Sequence, residues 1–291
     1  MMVDNLNINT KFNFKDEGFD ASQSKFYQLL LELSDKHLSI SVFDTQQNKV
    51  ICLEHYTFGN TFTSNALAGK LPVFFAEHSF AKLKFAKTIL SYVTQKFTLV
   101  PKSVFDVSKR KAYFDFNNTS DVSLDVKHGE IKSANAVVIF AIPQSIENAL
   151  KQLFPSIEIV SSFSPFVEAA FKNRDAQYNN ELFLHISNDK LFVCLFKNGK
   201  FHFANCFNYT AVADAGYYIN LVLNQFQITV AGCKINFSGI VDKNDNLFVE
   251  LQKFSITPSF SSTIASTSVS YKLQEIPAHY FVQLYSLIFC E

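Results

Sequence analysis

Seven histidines, five cysteines and 26 carboxylates are the side chains most able to do chemistry in this 291-residue chain. Their spacing limits what they could do together. His185 and His202 fall on the first and third strands of a three-strand run, near enough to share a metal ion. A metal centre would need a third ligand, and no Asp, Glu or Cys nearby has the spacing to supply one. Hydrogen-bonded or solvated sheet histidines are the expectation. Cys52, Cys194, Cys206, Cys233 and Cys290 form an odd set without a CxxC pair, which disfavours structural zinc and suits a reducing compartment. Cys194 and Cys206 alternate with Phe and Leu along strands and read as inert core thiols. A serine hydrolase would show a GxSxG elbow, and none is present. Neither GxGxxG nor a Walker sequence occurs among the eight glycines. Asp35, Asp44, Asp189 and Asp214 sit where turns and caps favour aspartate. Asp214, in the first turn of a helix, suits the positive end of the helix dipole.

Those residues must be held by elements legible from composition and periodicity. The length suits two domains of roughly 100–150 residues each. Apolar residues make up 48% of the chain and charged residues 18%, so neither half reads as disordered. The 33 Phe and 11 Tyr, with no Trp, are spread evenly and read as core and sheet filling. Twenty-six basic residues balance 26 acidic ones. Phosphate neutralisation calls for a basic excess, so nucleic acid is disfavoured. The compact basic run Ser108-Lys109-Arg110-Lys111, followed closely by Asp115, reads as a solvated turn. The polar N-terminus lacks a signal-peptide core, and no stretch reaches the roughly 18–20 apolar residues that span a bilayer. Ala278–Cys290, the most apolar helix candidate, is too short. A cytoplasmic protein without an integral membrane segment is expected.

Three consecutive strands are predicted at 27–33, 38–43 and 50–58, and three more at 182–186, 191–196 and 201–207. The pair Asn198-Gly199 between the last two is a hairpin signal, because both residues tolerate positive φ. LELSDKHLSISVFD (31–44) aligns without a gap on LHISNDKLFVCLFK (184–197), with four identities in fourteen. After the first meander, Leu83, Ala86, Leu90, Val93 and Phe97 keep helical spacing and predict a helix within 74–97. A polar region follows, with turns expected at Asn117-Asn118 and His128-Gly129. Then come a strand at 136–142, a helix from Pro143, a strand at 157–161 and a helix capped by Ser164-Pro165. In the second half Thr210 opens a helix, 234–241 is a strand, and Leu247, Phe248, Leu251 and Phe254 line a short helix. A strand at 255–260, a Ser/Thr-rich loop at 261–270 and a helix from Pro277 complete it. Both halves, 1–177 and 178–291, thus read β-β-β-α-β-α-β-α, an α/β order explained by internal duplication.

A meander followed by alternating helices and strands, occurring twice, resembles the actin, sugar-kinase and Hsp70 superfamily. The expected fold is therefore α/β with two ribonuclease H-like (actin-like ATPase) domains. The stretches LELSDKHLSISVFD, LVPKSVFD (99–106) and EIPAHYFVQLYSLIFC (275–290) look like a bacterial family of unknown function with that fold. It is distantly similar to pilus-assembly and cell-division actin-like proteins.

In catalytic members, a D-x-G pattern at the first meander turn of each half cradles phosphate and the magnesium shell, and a glycine pair lies under adenosine. The resemblance puts Glu32 at the first acid position, with Ser34 where glycine stands and Lys36 beside it. In the second half it puts His185 at the acid, Ser187 at the glycine and Asp189 nearby. The adenosine motif is reduced to Ser238-Gly239. Glycine lets backbone N–H groups reach phosphate, whereas a side chain at a left-handed turn costs roughly 1–2 kcal/mol. The nucleotide-handling loops are thus degenerate, and ATP with Mg²⁺ is disfavoured as a cofactor. Glu32, Ser34, Lys36, His185, Ser187, Asp189 and Gly239 remain the candidate cleft positions. The expected function is non-catalytic protein binding or scaffolding, with a protein partner, and the resemblance also allows a homo-oligomer. The alternative is a divergent nucleotide-dependent ATPase or small-molecule kinase with Glu32 in the metal shell.

Overall fold

The computed structural model describes residues 8–59, 62–119, 121–252, 259–261 and 267–290. Strands β1 (Ile8–Lys15), β2 (Tyr27–Leu33), β3 (His37–Asp44) and β4 (Lys49–Phe58) are followed by helix α1 (Ser64–Glu77) and strand β5 (Lys87–Tyr92). Next come β6 (Phe97–Pro101), α2 (Arg110–Asn117), β7 (Leu124–Ile131), β8 (Ala136–Pro143), α3 (Gln144–Leu153), β9 (Glu158–Ser161) and α4 (Phe163–Lys172). The second run holds β10 (Glu181–Ser187), β11 (Lys190–Lys197), β12 (Lys200–Asn208), α5 (Val212–Gln225), β13 (Lys234–Gly239), α6 (Asn246–Gln252) and β14 (Ser259–Phe260). Strand β15 (Ser268–Val269) and the short helix α7 (Val282–Tyr285) close the chain. Two compact units result. One comprises the described residues within 1–165, 267–275 and 287–291, and the other those within 166–266 and 276–286.

In the first unit the main sheet has the order β1-β4-β3-β2-β5-β9, with β15 also pairing β4. The meander is antiparallel, while β5 and β9 add in parallel. Every second residue of β2 (Leu29, Leu31, Leu33) and of β3 (Leu38, Ile40, Val42) enters one apolar core. Helices α1 and α3 cover that face, with Leu67, Leu71 and Phe75 at i, i+4, i+8 and with Ile146, Ala149 and Leu150. Burial of each such leucine contributes roughly 2 kcal/mol. The second unit has the order β12-β11-β10-β13-β14, again an antiparallel meander joined by two parallel strands. Leu182, Leu184 and Ile186 meet Ala215, Ile219, Val222 and Leu223 of α5 in its core.

Several expectations need correction. The helix expected within 74–97 lies earlier, at α1, and most of that range is not helical. The segment of β5, Lys-Thr-Ile-Leu-Ser-Tyr, has Ile89, Leu90 and Ser91 buried in succession, and an apolar run inside a sheet satisfies a helical period by accident. The true helix carries Gly69 and Pro72, both poor helix formers, and the cap at Thr63 starts it by accepting from Ala66 N–H (3.3 Å). The strand at 136–142 exists as β8 but leaves the main sheet. It is the centre of a separate sheet, β6-β8-β7, covered by α2 through Phe114. His128-Gly129 lies inside β7 rather than at a turn. Helix α4 begins at Phe163, ahead of Ser164-Pro165. The α-helix expected from Pro277 is confined to α7. Asp214 caps α5 as expected, accepting from Thr210 and Ala211 N–H at 2.9 Å each. Phe254, positions 255–258 of the expected strand and 262–266 of the Ser/Thr-rich loop lie outside the described residues. Among the described residues no helix is long and apolar enough to cross a membrane.

The opposite face of the first meander buries polar side chains beside Leu30 and Leu53. Ser39 is 1% exposed and His55 4%, and Ser39 Oγ lies 2.8 Å from His55 Nδ1. Burial, helped by the nearby His37 ring, pushes the His55 imidazole from 6.5 down to about 3. Between those values the unfolded chain binds one more proton than the folded chain, so stability falls as pH falls. The loss should reach roughly 2 kcal/mol between pH 7 and pH 5. Urea unfolding at the two pH values should show that this part of the slope vanishes in His55→Gln. An unchanged slope would rule the imidazole out as its source.

Candidate functional site

Glu32, Ser34 and Lys36 meet at the turn joining β2 to β3. Ser34 and His37 flank a two-residue turn, with Ser34 N–H donating to His37 O (2.9 Å). Ser34 Oγ accepts from the backbone N–H of Lys36 (3.0 Å) and of His37 (2.9 Å). Its remaining contacts are His37 Nδ1 at 2.8 Å and, longer, His37 O at 3.5 Å. A hydroxyl has one proton and two lone pairs. With both lone pairs taken by the turn, the proton goes to Nδ1, the nearer of the two acceptors, which leaves Nε2 to carry the ring's own proton. That Nε2–H points at Glu32 Oε1, 3.0 Å away. All three side chains are buried: Ser34 2% exposed, His37 3% and Glu32 7%.

The chemistry of this chain of contacts follows from its saturation. Serine, histidine and glutamate in series look like a nucleophile, base and orienting acid. A nucleophilic hydroxyl must reach a substrate and give up its proton there, and Ser34 Oγ is both enclosed and fully bonded. The same saturation bears on anions. Backbone N–H groups at a tight turn form the concavity that holds a phosphate, but here the two nearest donors already have an acceptor. Ser34 was expected in a left-handed conformation, with the strain that implies. It is not among the residues of positive φ, and neither is Ser187. Hydroxyl caps stabilise the first turn without that backbone geometry.

The second unit treats its equivalent positions differently. Asn188 takes the left-handed conformation (φ 53°) between Ser187 and Asp189. Tyr209 holds this turn, its hydroxyl donating to Asn188 O (2.6 Å) and its N–H to Asp189 O (2.9 Å). The Asp189 carboxylate pairs with Lys190 at 3.1 Å. His185 is buried, with Nδ1 3.0 Å from Ser238 Oγ, and that hydroxyl donates to Leu184 O (3.2 Å). His202 is exposed on β12. Cys194 and Cys206 are buried, and burial raises the Cys194 thiol further from ionisation. Gly239 has φ +99°, and a Cβ there would stand 2.0 Å from Ile186 O, so only glycine fits. Its N–H donates to His279 O at 2.9 Å. The His279 ring stacks on Phe260 at 3.9 Å, and its Nε2–H donates to Val241 O at 2.8 Å. Hence the backbone beside Ser238-Gly239 is closed by the chain itself.

Residues 32–36 therefore form one group in the first unit, and 185–189 with 239 lie in the second. Sequence reasoning missed His37, which joins Glu32 to Ser34. The signal was present, since residues flanking a two-residue turn face each other and those two strands were assigned. It also missed Tyr209 and His279, whose partners are too distant in sequence for spacing to reveal. Among the described residues no three His, Cys, Asp or Glu side chains are grouped to hold a metal ion.

No curated protein matches the chain in sequence. Among solved structures, a Bacteroides thetaiotaomicron protein described as having an actin-like ATPase fold and unknown function is similar over 94% of this chain and 99% of its own. Its TM-score is 0.77 and its identity 21%. A chain of a PilM–PilN type IV pilus biogenesis complex is similar over 90% of this chain and 97% of its own, with a TM-score of 0.61 and 12% identity. At such identities the likeness shows the fold, which is α/β of the actin-like ATPase type over nearly the whole length. A family model described as "Protein of unknown function (DUF3822)" matches residues 16–256, and the chain belongs to that family.

Proposed function

We propose that this chain is a non-catalytic actin-like protein that works by binding another protein. The observation that carries this reading is the saturated first turn, where Ser34 Oγ takes the Lys36 and His37 N–H groups that a phosphate would need. The self-closed backbone at Gly239 supports it from the second unit. The candidate positions Glu32, Ser34, Lys36, His185, Ser187, Asp189 and Gly239 are then remnants that now stabilise turns and strands. A frame without nucleotide chemistry retains its surfaces as the means of action. Protein partnering draws support from the likeness to a chain of a two-protein complex, PilM–PilN.

The same reading takes 1–177 and 178–291 as halves descended from one duplicated domain. Its support is the matching strand order, β4-β3-β2-β5-β9 against β12-β11-β10-β13-β14. A cytoplasmic location belongs to it as well, supported by five cysteines that are all free thiols.

Calorimetric titration with Mg-ATP tests the reading directly. Affinity weaker than about 100 μM, near −5.5 kcal/mol, is expected. Tighter binding, with a thermal stabilisation that Glu32→Ala removes, would establish the nucleotide-dependent enzyme instead. Ser34→Ala should lower unfolding free energy by about 1–2 kcal/mol, because two N–H groups and the His37 ring lose a partner. Urea denaturation measures it, and a variant as stable as the parent would show that the hydroxyl does not hold the turn.

A further inference from the structure

Besides Val73 and Tyr271 elsewhere, the first unit exposes apolar side chains in the segments that flank the strands of the small sheet β6-β8-β7. Val104, Val107, Phe116 and Val122 are 61%, 59%, 87% and 97% exposed. Single exposed residues of this kind are ordinary, but a local concentration of them marks an interaction surface. Beside Val122, a groove of about 350 Å³ runs between α2 and β7. Phe114, Leu124 and Val126 give it an apolar lining. Leu124, Asp125 and Val126 line it in succession. Successive strand residues point to opposite faces, so a groove touching all three follows the edge of the strand. Strand β7 is at the end of its sheet, with β8 as its one hydrogen-bonded strand neighbour among the described residues. An edge of this kind carries backbone donors and acceptors open to another strand.

Charge selects among possible occupants. Four charged side chains line the groove: Arg110, Lys111, Asp121 and Asp125. Three are already committed, Lys111 to Asp115 at 2.7 Å, Asp125 to Lys127 at 3.1 Å, and Asp121 to the Ser123 N–H and hydroxyl at 2.8 Å each. Arg110 meets only the His128 ring, with Nη1 3.5 Å from Nδ1, and has no carboxylate partner among the described residues. A half-buried guanidinium with free donors pairs best with a carboxylate.

We propose that the α2–β7 groove docks an extended segment of a partner protein, which adds to the β7 edge and sets a carboxylate against Arg110 beside an apolar side chain against Val122. The mode is strand addition, with main-chain hydrogen bonds supplying affinity and the flanking contacts supplying selectivity. It rests on the protein-binding reading and names the surface and the chemistry of the partner.

The test pans a displayed random octapeptide library against the full chain. Enriched peptides should carry Asp or Glu next to a large apolar residue. Measured by fluorescence anisotropy, their affinity should fall at least tenfold in Arg110→Glu and in Val122→Asp, with the melting temperature of each variant unchanged. Replacing the peptide's acid by Lys should weaken binding to the parent and restore it to Arg110→Glu. The proposal is overturned by a library that enriches no such pattern, or by peptides indifferent to both variants. Concentration-dependent dimerisation that Val122→Asp abolishes would overturn it in favour of a second copy of this chain. Tight Mg-ATP binding would end the protein-binding reading while leaving these affinities measurable. Peptides that ignore Arg110 and Val122 would end the groove while leaving the turn argument intact.

Discussion

One serine hydroxyl has only three hydrogen-bonding positions, and at the β2–β3 turn Ser34 uses all of them locally. Two backbone N–H groups, one imidazole nitrogen and, through that ring, the Glu32 carboxylate are bound into a single closed network. Glycine at the same place would leave the turn's N–H groups to whatever anion arrived. The substitution therefore changes the turn from a receptor into a brace. It also gives the buried Glu32 carboxylate a donor at Oε1, the His37 Nε2–H.

The polar network lies on a sheet face whose neighbours are also polar and enclosed, including Ser39, Ser41 and His55. Such a face is expensive unless every group is satisfied. Ser41 Oγ donates to Cys52 O at 2.9 Å, and Ser39 meets the His55 ring. The other face of the same strands is mainly apolar, with Leu29, Leu31, Leu33, Leu38, Ile40 and Val42 joined by Tyr27, Cys52 and Tyr56. The meander thus gains cohesion from α1 and α3 on one side and registry from hydrogen bonds on the other. A one-residue slip would bury leucines among the histidines.

Much of this was legible in the sequence where local pattern and final position agree. The six meander strands, the Asp214 cap and helix α3 all follow from alternation, turn residues and capping chemistry. The failures have a common physical origin. Helix α1 contains Gly69 and Pro72, which local propensity counts against it, while packing of Leu67, Leu71 and Phe75 on the sheet outweighs that preference. Strand β5 is apolar on both faces, so no period of two survives to be read. The assignment of β8 to a separate sheet depends on pairing with β6 and β7, a long-range fact that periodicity does not carry. At the candidate site the positions of Glu32 and Ser34 could be named in advance. Their union through His37 follows only when the substitutions are read together with the facing of the two residues that flank the turn.

Strand β15 has a further consequence. Ser268 Oγ donates to Asn48 O across 220 residues of sequence, and Ser270 N–H donates to Val50 O. Lys87 similarly reaches the carbonyl of Cys290 at 3.3 Å. During synthesis, the early strands must wait for a partner that leaves the ribosome long after them. The first unit stays incomplete along β4 while the second unit's strands, nearly all local to one another, are free to pair. Nascent chains would therefore hold an unfinished edge through most of translation, and its completion comes last.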